Sequence, residues 1–385
     1  MIRPTVATVR LAAIQSNYQA IRTLVEASAR VVSDPVPGII AVVKANAYGH
    51  GAGEVGRALE AAGATMLACA DLEEGMELRQ AGVGLPILVF GALSVSDLAA
   101  VFEADLMPTV STPAAAQALE REGAARGRPV ACHLKIDTGM NRLGFRHDNL
   151  ARTMPAVLVS PHLEIQAVYT HFATGNEPES EFLDEQRRRF DRAYAELRAM
   201  GLAAVPRHAA GSASLLRDER TWYDWVRPGL LLYGIVPPPL AAANLELRPA
   251  LSLTSRIVAV KGARVGEGVG YGLRWTTSEP RTLAIVPAGY ADGLDTRLSG
   301  RGSALVRGQR VPIVGAVSMD MLTIDVTGLD AEPGDDVVLI GHQESAEITA
   351  REMAAAIGTI PWEIVCRLGS RIGRSHVADD SGGPA

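Results

Sequence analysis

Between Gly38 and Gly234 the sequence switches period again and again, from a short apolar run to a helical pattern and back. "GIIAVVKA" precedes "GAGEVGRALEAAGA", "TMLACA" precedes "DLEEGMELRQAG", "LPILVFG" precedes "SVSDLAAVFEADL", and "MPTVS" precedes "TPAAAQALEREGAARG". The strand candidates "VACHLKID", "IQAVYTHFA", "VPRHAAGS" and "WVRPGLLLYG" follow. Between the second and third of these lies "EFLDEQRRRFDRAYAELRAMGL", whose Leu183, Phe190, Tyr194 and Leu197 fall on one helical face. Alternating strands and helices require a parallel sheet with crossovers, and eight units over roughly 200 to 250 residues match a closed (β/α)8 barrel. A doubly wound sheet is the rival, but no G-x-G-x-x-G turn follows the first strand.

After the connector "PPPLAAANLELRP" the texture changes to strand-like segments with turn glycines, and "TAREMAAAIG" is the one clear helix. The expected architecture is therefore α/β: a TIM-like barrel over 1–243, followed by a mainly β domain over 244–385. A net charge of -6 without a basic face argues against a nucleic-acid partner. No segment has the length or apolarity of a membrane span or a signal peptide, so a cytoplasmic location is expected. Cys69, Cys132 and Cys366 are too few and too unevenly spaced for a disulfide framework or a zinc site, and no metal is expected.

In such barrels the chemistry gathers at the carboxyl ends of the strands. Lys44 sits at the end of the first. A lysine there can snorkel from the rim, or it can lose solvation of its charged form and become a nucleophile toward a carbonyl. Other strand ends present Lys135 and Arg142, His171, His208 and Ser212, and Arg227 followed by Gly229. Ser212 and the amides around Gly229 and Leu230 have the makings of a phosphate cradle of the kind barrels place after their last strands. An amine beside an anion site points to pyridoxal 5'-phosphate.

Nine segments then carry a resemblance: "AVVKANAYGHG", "KIDTGMNRLGF", "THFAT", "HAAGSAS", "VRPGLLLYG", "GVGYG", "PAGYADG", "VGAVSMDM" and "GTIPWE". In this order, across nearly the whole chain, they resemble alanine racemase, a member of the pyridoxal-phosphate barrel enzymes. The resemblance implies that Lys44 carries the cofactor as a Schiff base and that Tyr48, Ser212, Gly229 and Leu230 hold its phosphate. It implies that Arg227 faces the pyridine nitrogen, where a guanidinium, having no acceptor, discourages protonation of the ring. Lys44 and Tyr271 become the two acid/base groups on opposite faces of Cα, with Tyr271 supplied by the partner in a homodimer. His171 links that tyrosine to Arg227. Arg142 and the Met319 amide contact the substrate carboxylate, Lys135 is a carbamylation candidate, and Tyr290 lines the entrance. The family's product, D-alanine, is a peptidoglycan precursor.

Several residues have structural alternatives: His208 can satisfy buried polar groups, His50 can serve either purpose, Tyr290 can pack, and Asp320 reads as structural. Three positions depart from the family pattern. Trp362 replaces a tyrosine that contacts the phosphate and walls the pocket, Gly211 replaces an asparagine, and Asn176 an acidic residue. These changes bear on substrate range and leave open a broader racemase acting on alanine and serine. The other readings are a barrel decarboxylase, which places an acid at the ring nitrogen where Arg227 stands, and a cofactor-carrier protein, which lacks the β domain and Tyr271.

Overall fold

The computed structural model describes residues 3–32, 35–93, 97–241 and 245–378. As far as these are described, the chain forms two compact units, one of Gln15–Ala47 and Ala52–Leu247, the other of Met1–Ile14, Tyr48–Gly51 and Arg248–Ala385. The chain opens with strand β1, Val6–Arg10, and helix α1, Leu11–Val32. Eight strands follow: β2 Gly38–Val42, β3 Met66–Cys69, β4 Ile87–Val89, β5 Met107–Val110, β6 Val130–Asp137, β7 Leu163–Tyr169, β8 Arg207–Gly211 and β9 Trp225–Arg227.

Each of these eight pairs in parallel with the next, and β9 pairs with β2 through Trp225↔Gly38 and Val226↔Ile39, so the sheet closes on itself. The barrel read from the alternating periods is present, and each of its strands falls within one of the eight apolar runs apart from the first two residues of β7. Their near-continuous apolar character follows from burial on both faces, as with Leu67, Ala68 and Cys69, all at 0% exposure.

The helices pack with the spacing their apolar residues dictate. Helix α2, Ala52–Ala61, buries Val55 and Leu59, and α3, Leu72–Gln80, buries Leu72 and Leu78. Helix α4, Pro113–Arg126, starts with proline in its first turn behind a Thr112 cap and stops at Gly127, whose φ of +64° suits a residue without Cβ. Helix α5, Phe182–Ala199, buries Leu183, Phe190 and Leu197, while half-buried Tyr194 donates its hydroxyl to the Val205 carbonyl at 2.8 Å. The "SVS" that opens "SVSDLAAVFEADL" and the expected boundary at 243/244 lie outside the described residues.

In the other unit a mixed sheet runs in the order β11-β12-β15-β14-β13-β16-β10-β1-β17. Besides β1, the strands along that path are β10 Leu251–Arg256, β11 Ala259–Ala263, β12 Arg281–Val286, β13 Ser303–Val306, β14 Gln309–Val314, β15 Leu322–Asp325, β16 Asp336–Gln343 and β17 Gly373–Val377, and the short strand Ala346–Ile348 pairs with β16 off the path. Here β1, which the sequence reading left in the barrel segment, lies between β10, antiparallel to it, and β17, parallel to it. The helix expected from "TAREMAAAIG" spans Ala350–Ile357, and a shorter one, Pro361–Cys366, follows it.

Candidate active site

Lys44 is half-buried and lies two residues past the end of β2. The next four residues, Ala45, Asn46, Ala47 and Tyr48, have φ of +54°, +52°, +54° and +52°, one turn of left-handed helix built without glycine. That conformation costs roughly 1–2 kcal/mol per residue and persists only where surroundings over-determine it. The Ala47 N–H donates to the Val43 carbonyl at 2.8 Å, the Asn46 side chain accepts from the Ala52 N–H at 2.7 Å, and the Glu74 carboxylate accepts from the Ala45 N–H at 2.6 Å.

Beyond the turn, Gly49 (φ +84°) approaches the Val365 backbone so closely that a Cβ would lie 2.1 Å from its carbonyl oxygen. Arg374 donates to the Gly49 carbonyl at 2.8 Å. His50 is buried, donates from Nδ1 to the Tyr48 carbonyl at 3.0 Å, and accepts at its own carbonyl from His376 at 2.8 Å.

Within the barrel unit the predicted cations come within electrostatic reach of one another. Lys135 is buried, its ammonium 5.4 Å from the Tyr169 ring centroid. Burial first, then Arg142, Arg227 and Lys44, push its amine down to about 8 against the pull of Asp137. His171 is held well below the usual imidazole range by burial and then by Arg227, Lys135, Arg142 and Lys44. Arg142 itself is exposed, on a loop whose backbone at Gly139 and Asn141 donates to Asp137 Oδ1 at 3.0 and 3.1 Å.

Arg227 is buried at 4% exposure and turns both terminal nitrogens to local acceptors. Its guanidinium donates to the Thr170 carbonyl (2.9 Å), the Ala209 carbonyl (2.8 Å), His171 Nδ1 (3.1 Å) and His208 Nδ1 (2.8 Å). A guanidinium only donates, so both histidines accept at Nδ1 and carry their proton on Nε2. His208 Nε2 then donates to His133 Nδ1 at 2.9 Å, which leaves the His133 proton on an Nε2 that is buried without a partner. Burial, then Arg227, lowers His133 to about 3 and His208 well below its ordinary value. His208 thus does serve buried polar groups, and Arg227 is the group it serves.

Ser212 Oγ, at the start of the helix Ser212–Arg217, accepts from the Gly229 N–H at 2.9 Å and the Leu231 N–H at 3.5 Å. Leu230 opens a 3-10 turn, whose first amides have no acceptor within the turn itself. A Cβ at Gly211 would sit 3.3 Å from His171 Cε1, a tight contact. Asn176 lies in a loop pinned by Arg217, which donates to the Thr174, Pro178 and Ser180 carbonyls at 2.8, 3.0 and 2.6 Å.

The remaining predicted residues lie in the β unit. Tyr271 is 77% exposed at the tip of a small hairpin in which Val269 pairs with Trp275, between Gly270 and Gly272, both at φ +71°. It lines a cavity of about 690 Å³ with Arg274, Arg297 and Arg301. Met319 and Tyr290, both exposed, sit on two loops stitched together: the Tyr290 and Ala291 amides donate to the Ser318 and Met319 carbonyls at 3.0 Å each. Asp320 receives Arg371 at 2.7 Å, a structural task. Trp362 is half-buried in the helix Pro361–Cys366.

Three residues near the cations escape sequence reasoning. Tyr169 is fully buried, stacks on His208 (4.6 Å between centroids, 7° between planes), shares a hydrogen bond of 2.9 Å with Thr109 and lies under Arg227. Burial pushes its phenol up to about 12. Gln186 of α5 spans from the Ala173 N–H (2.8 Å) to the His171 carbonyl (3.1 Å) and so fixes the His171 strand end. His133, two residues before Lys135, shares its strand face.

Profiles of two domains match the chain in order: the alanine racemase N-terminal domain over residues 9–237 and the alanine racemase C-terminal domain over 250–376. The chain is 41% identical over 376 residues to the alanine racemase of Symbiobacterium thermophilum, covering 97% of each. Its fold superposes on the alanine racemase of D-cycloserine-producing Streptomyces lavendulae with a TM-score of 0.93, at 34% identity over 98% of both chains. It also superposes on the Bartonella henselae alanine racemase, a structure with covalently bound pyridoxal phosphate, with a TM-score of 0.85 at 27% identity over 97% and 99% of the two chains. With both domain profiles spanning nearly its whole length, this chain belongs to the alanine racemase family and is an isomerase.

Proposed function

We propose that the protein interconverts L- and D-alanine with pyridoxal 5'-phosphate as a homodimer. In this reading the barrel unit binds the cofactor, and the β unit, which includes β1, supplies Tyr271 to the partner's site. The observation that carries it is the gathering of Lys44, Arg142 and Arg227 within electrostatic reach of His171. Such a cluster suits a ligand with several negative groups, and a phosphate, a phenolic oxygen and a substrate carboxylate supply them. Among the described residues no group of His, Cys, Asp or Glu could hold a metal ion.

Lys44 would hold the cofactor, with Tyr48, Ser212, Gly229, Leu230 and Trp362 at its phosphate and His171 and Arg227 along its ring. When bound, the cofactor would supply a conjugated ring that withdraws electrons from Cα of an attached amino acid. Arg227 offers no acceptor, so it cannot take up a proton shared with the ring nitrogen, and its charge discourages protonation there. This keeps the electron sink shallow and favours return of a proton to Cα over side reactions.

Lys44 would move a proton at Cα on one face, and Tyr271 of the partner subunit on the other. Arg142 and the Met319 amide would hold the carboxylate, and Lys135, as a carbamate, would hold Arg142 by charge. The test is a chiral assay of L-alanine with added pyridoxal phosphate, alongside Lys44→Ala. Conversion to D-alanine that the variant loses supports the reading, and no conversion at full cofactor occupancy contradicts it.

A further inference from the structure

The stretch "DLEE", Asp71 to Glu74, reads as a capping box, in which the glutamate at the third helical position reaches back to the N–H of the capping residue. Half of that box is present: Asp71 accepts from the Glu74 N–H at 2.9 Å. The other half is diverted. One oxygen of the Glu74 carboxylate accepts from the Ala70 N–H at 2.7 Å, just past the end of β3, and the other from the Ala45 N–H at 2.6 Å, on the residue that follows Lys44. The carboxylate therefore joins the carboxyl ends of two neighbouring barrel strands, with both bonds in the short range of charge-assisted pairs.

Ala45 opens the left-handed turn. Alanine does not favour that conformation, so the peptide between Lys44 and Ala45 needs an external hold to keep its N–H pointing as it does. A carboxylate is suited to this, because it has no donor and accepts at both oxygens, whereas an amide in its place would turn its NH2 group toward one of the two N–H donors.

We propose that Glu74 is a positioning residue for Lys44, setting the direction of the lysine side chain by fixing the peptide that follows it. The proposal rests on the reading that Lys44 holds the cofactor. A glutamate serving only to cap α3 would affect stability and nothing else, which separates the two roles.

The test uses the holoenzyme, Glu74→Gln, Glu74→Asp and, as a control on capping, Asp71→Ala. Pyridoxal phosphate affinity is measured by visible absorbance, racemisation as kcat and KM, and thermal unfolding in parallel. Glu74→Gln is expected to weaken pyridoxal phosphate binding about tenfold and lower kcat about tenfold, with KM changing less than about threefold, as follows from loss of one charge-assisted bond. Glu74→Asp, too short to span both amides, is expected to behave likewise, and Asp71→Ala to lower the unfolding temperature while leaving affinity and kcat within about twofold. Glu74→Gln within about twofold of the wild type in both affinity and kcat overturns the proposal. Should either Glu74 variant fail to fold, the other decides by the same criteria. Borohydride reduction of the wild type separates the underlying reading: a tag on Lys44 leaves only the role of Glu74 in question, and a tag on a different lysine overturns both.

Discussion

Arg227 donates to Nδ1 of His208 at 2.8 Å, and this single bond fixes the tautomers of two histidines behind it. It also means that the barrel interior holds imidazoles that must stay neutral beside a buried guanidinium. Burial and Arg227 both act against their protonation.

The first prediction is a pH dependence of stability. His133, His171 and His208 have folded-state values below the ordinary 6.5, so between those values and 6.5 the unfolded chain binds more protons than the folded one. Stability is therefore expected to fall as pH drops below about 6.5, by up to about 1.4 kcal/mol per pH unit for each histidine. Urea unfolding between pH 7 and pH 5 measures the slope. His133→Gln, which cannot take the proton, should make it shallower, and an unchanged slope contradicts the assignment.

Lys135 gives the second. With its amine pushed down to about 8, the neutral and reactive form grows as pH rises through that value. Addition of 13C-bicarbonate should produce a carbamate signal by NMR that is stronger at pH 9 than at pH 7 and missing in Lys135→Met. A spectrum without that signal at either pH contradicts the carbamate.

Asp292 gives the third. It is fully buried, accepts from Arg3 at 2.7 Å and from the Gly289 N–H at 2.9 Å, and so anchors the turn that carries Tyr290. Asp292→Ala is expected to cost about 1–3 kcal/mol in unfolding free energy, because it leaves the buried Gly289 N–H without its acceptor and removes the half-buried pair with Arg3. A loss below about 1 kcal/mol would show the anchor to be dispensable.

Much of this was legible in the sequence because barrel enzymes write their chemistry at strand ends. Lys44, Lys135, Ser212 and Arg227 each close an apolar run, and the barrel places all four at its carboxyl-end mouth. What stayed hidden depends on pairings between distant residues. Nothing local in "VATVR" says that β1 will insert between β10 and β17. Glu74 looks like an ordinary cap until its second oxygen is found on Ala45, and Tyr169 looks like one more aromatic in a strand until His208 is stacked on it.

The fourth prediction concerns substrate range. Gly211 leaves no side chain beside His171. A pocket altered in this way is expected to accept serine, with kcat/KM for L-alanine exceeding that for L-serine by less than a few hundredfold, since one hydroxyl in a tolerant pocket is worth only about 1–3 kcal/mol. A larger preference contradicts the broad pocket.

The central claim is that Lys44 and Tyr271 serve opposite faces of one carbon. Loss of deuterium from Cα of each alanine enantiomer, followed separately in Tyr271→Phe holoenzyme, tests it most directly. The account predicts that one enantiomer slows at least about a hundredfold more than the other, the weight of a general base acting on one face alone. Equal slowing of both would contradict it.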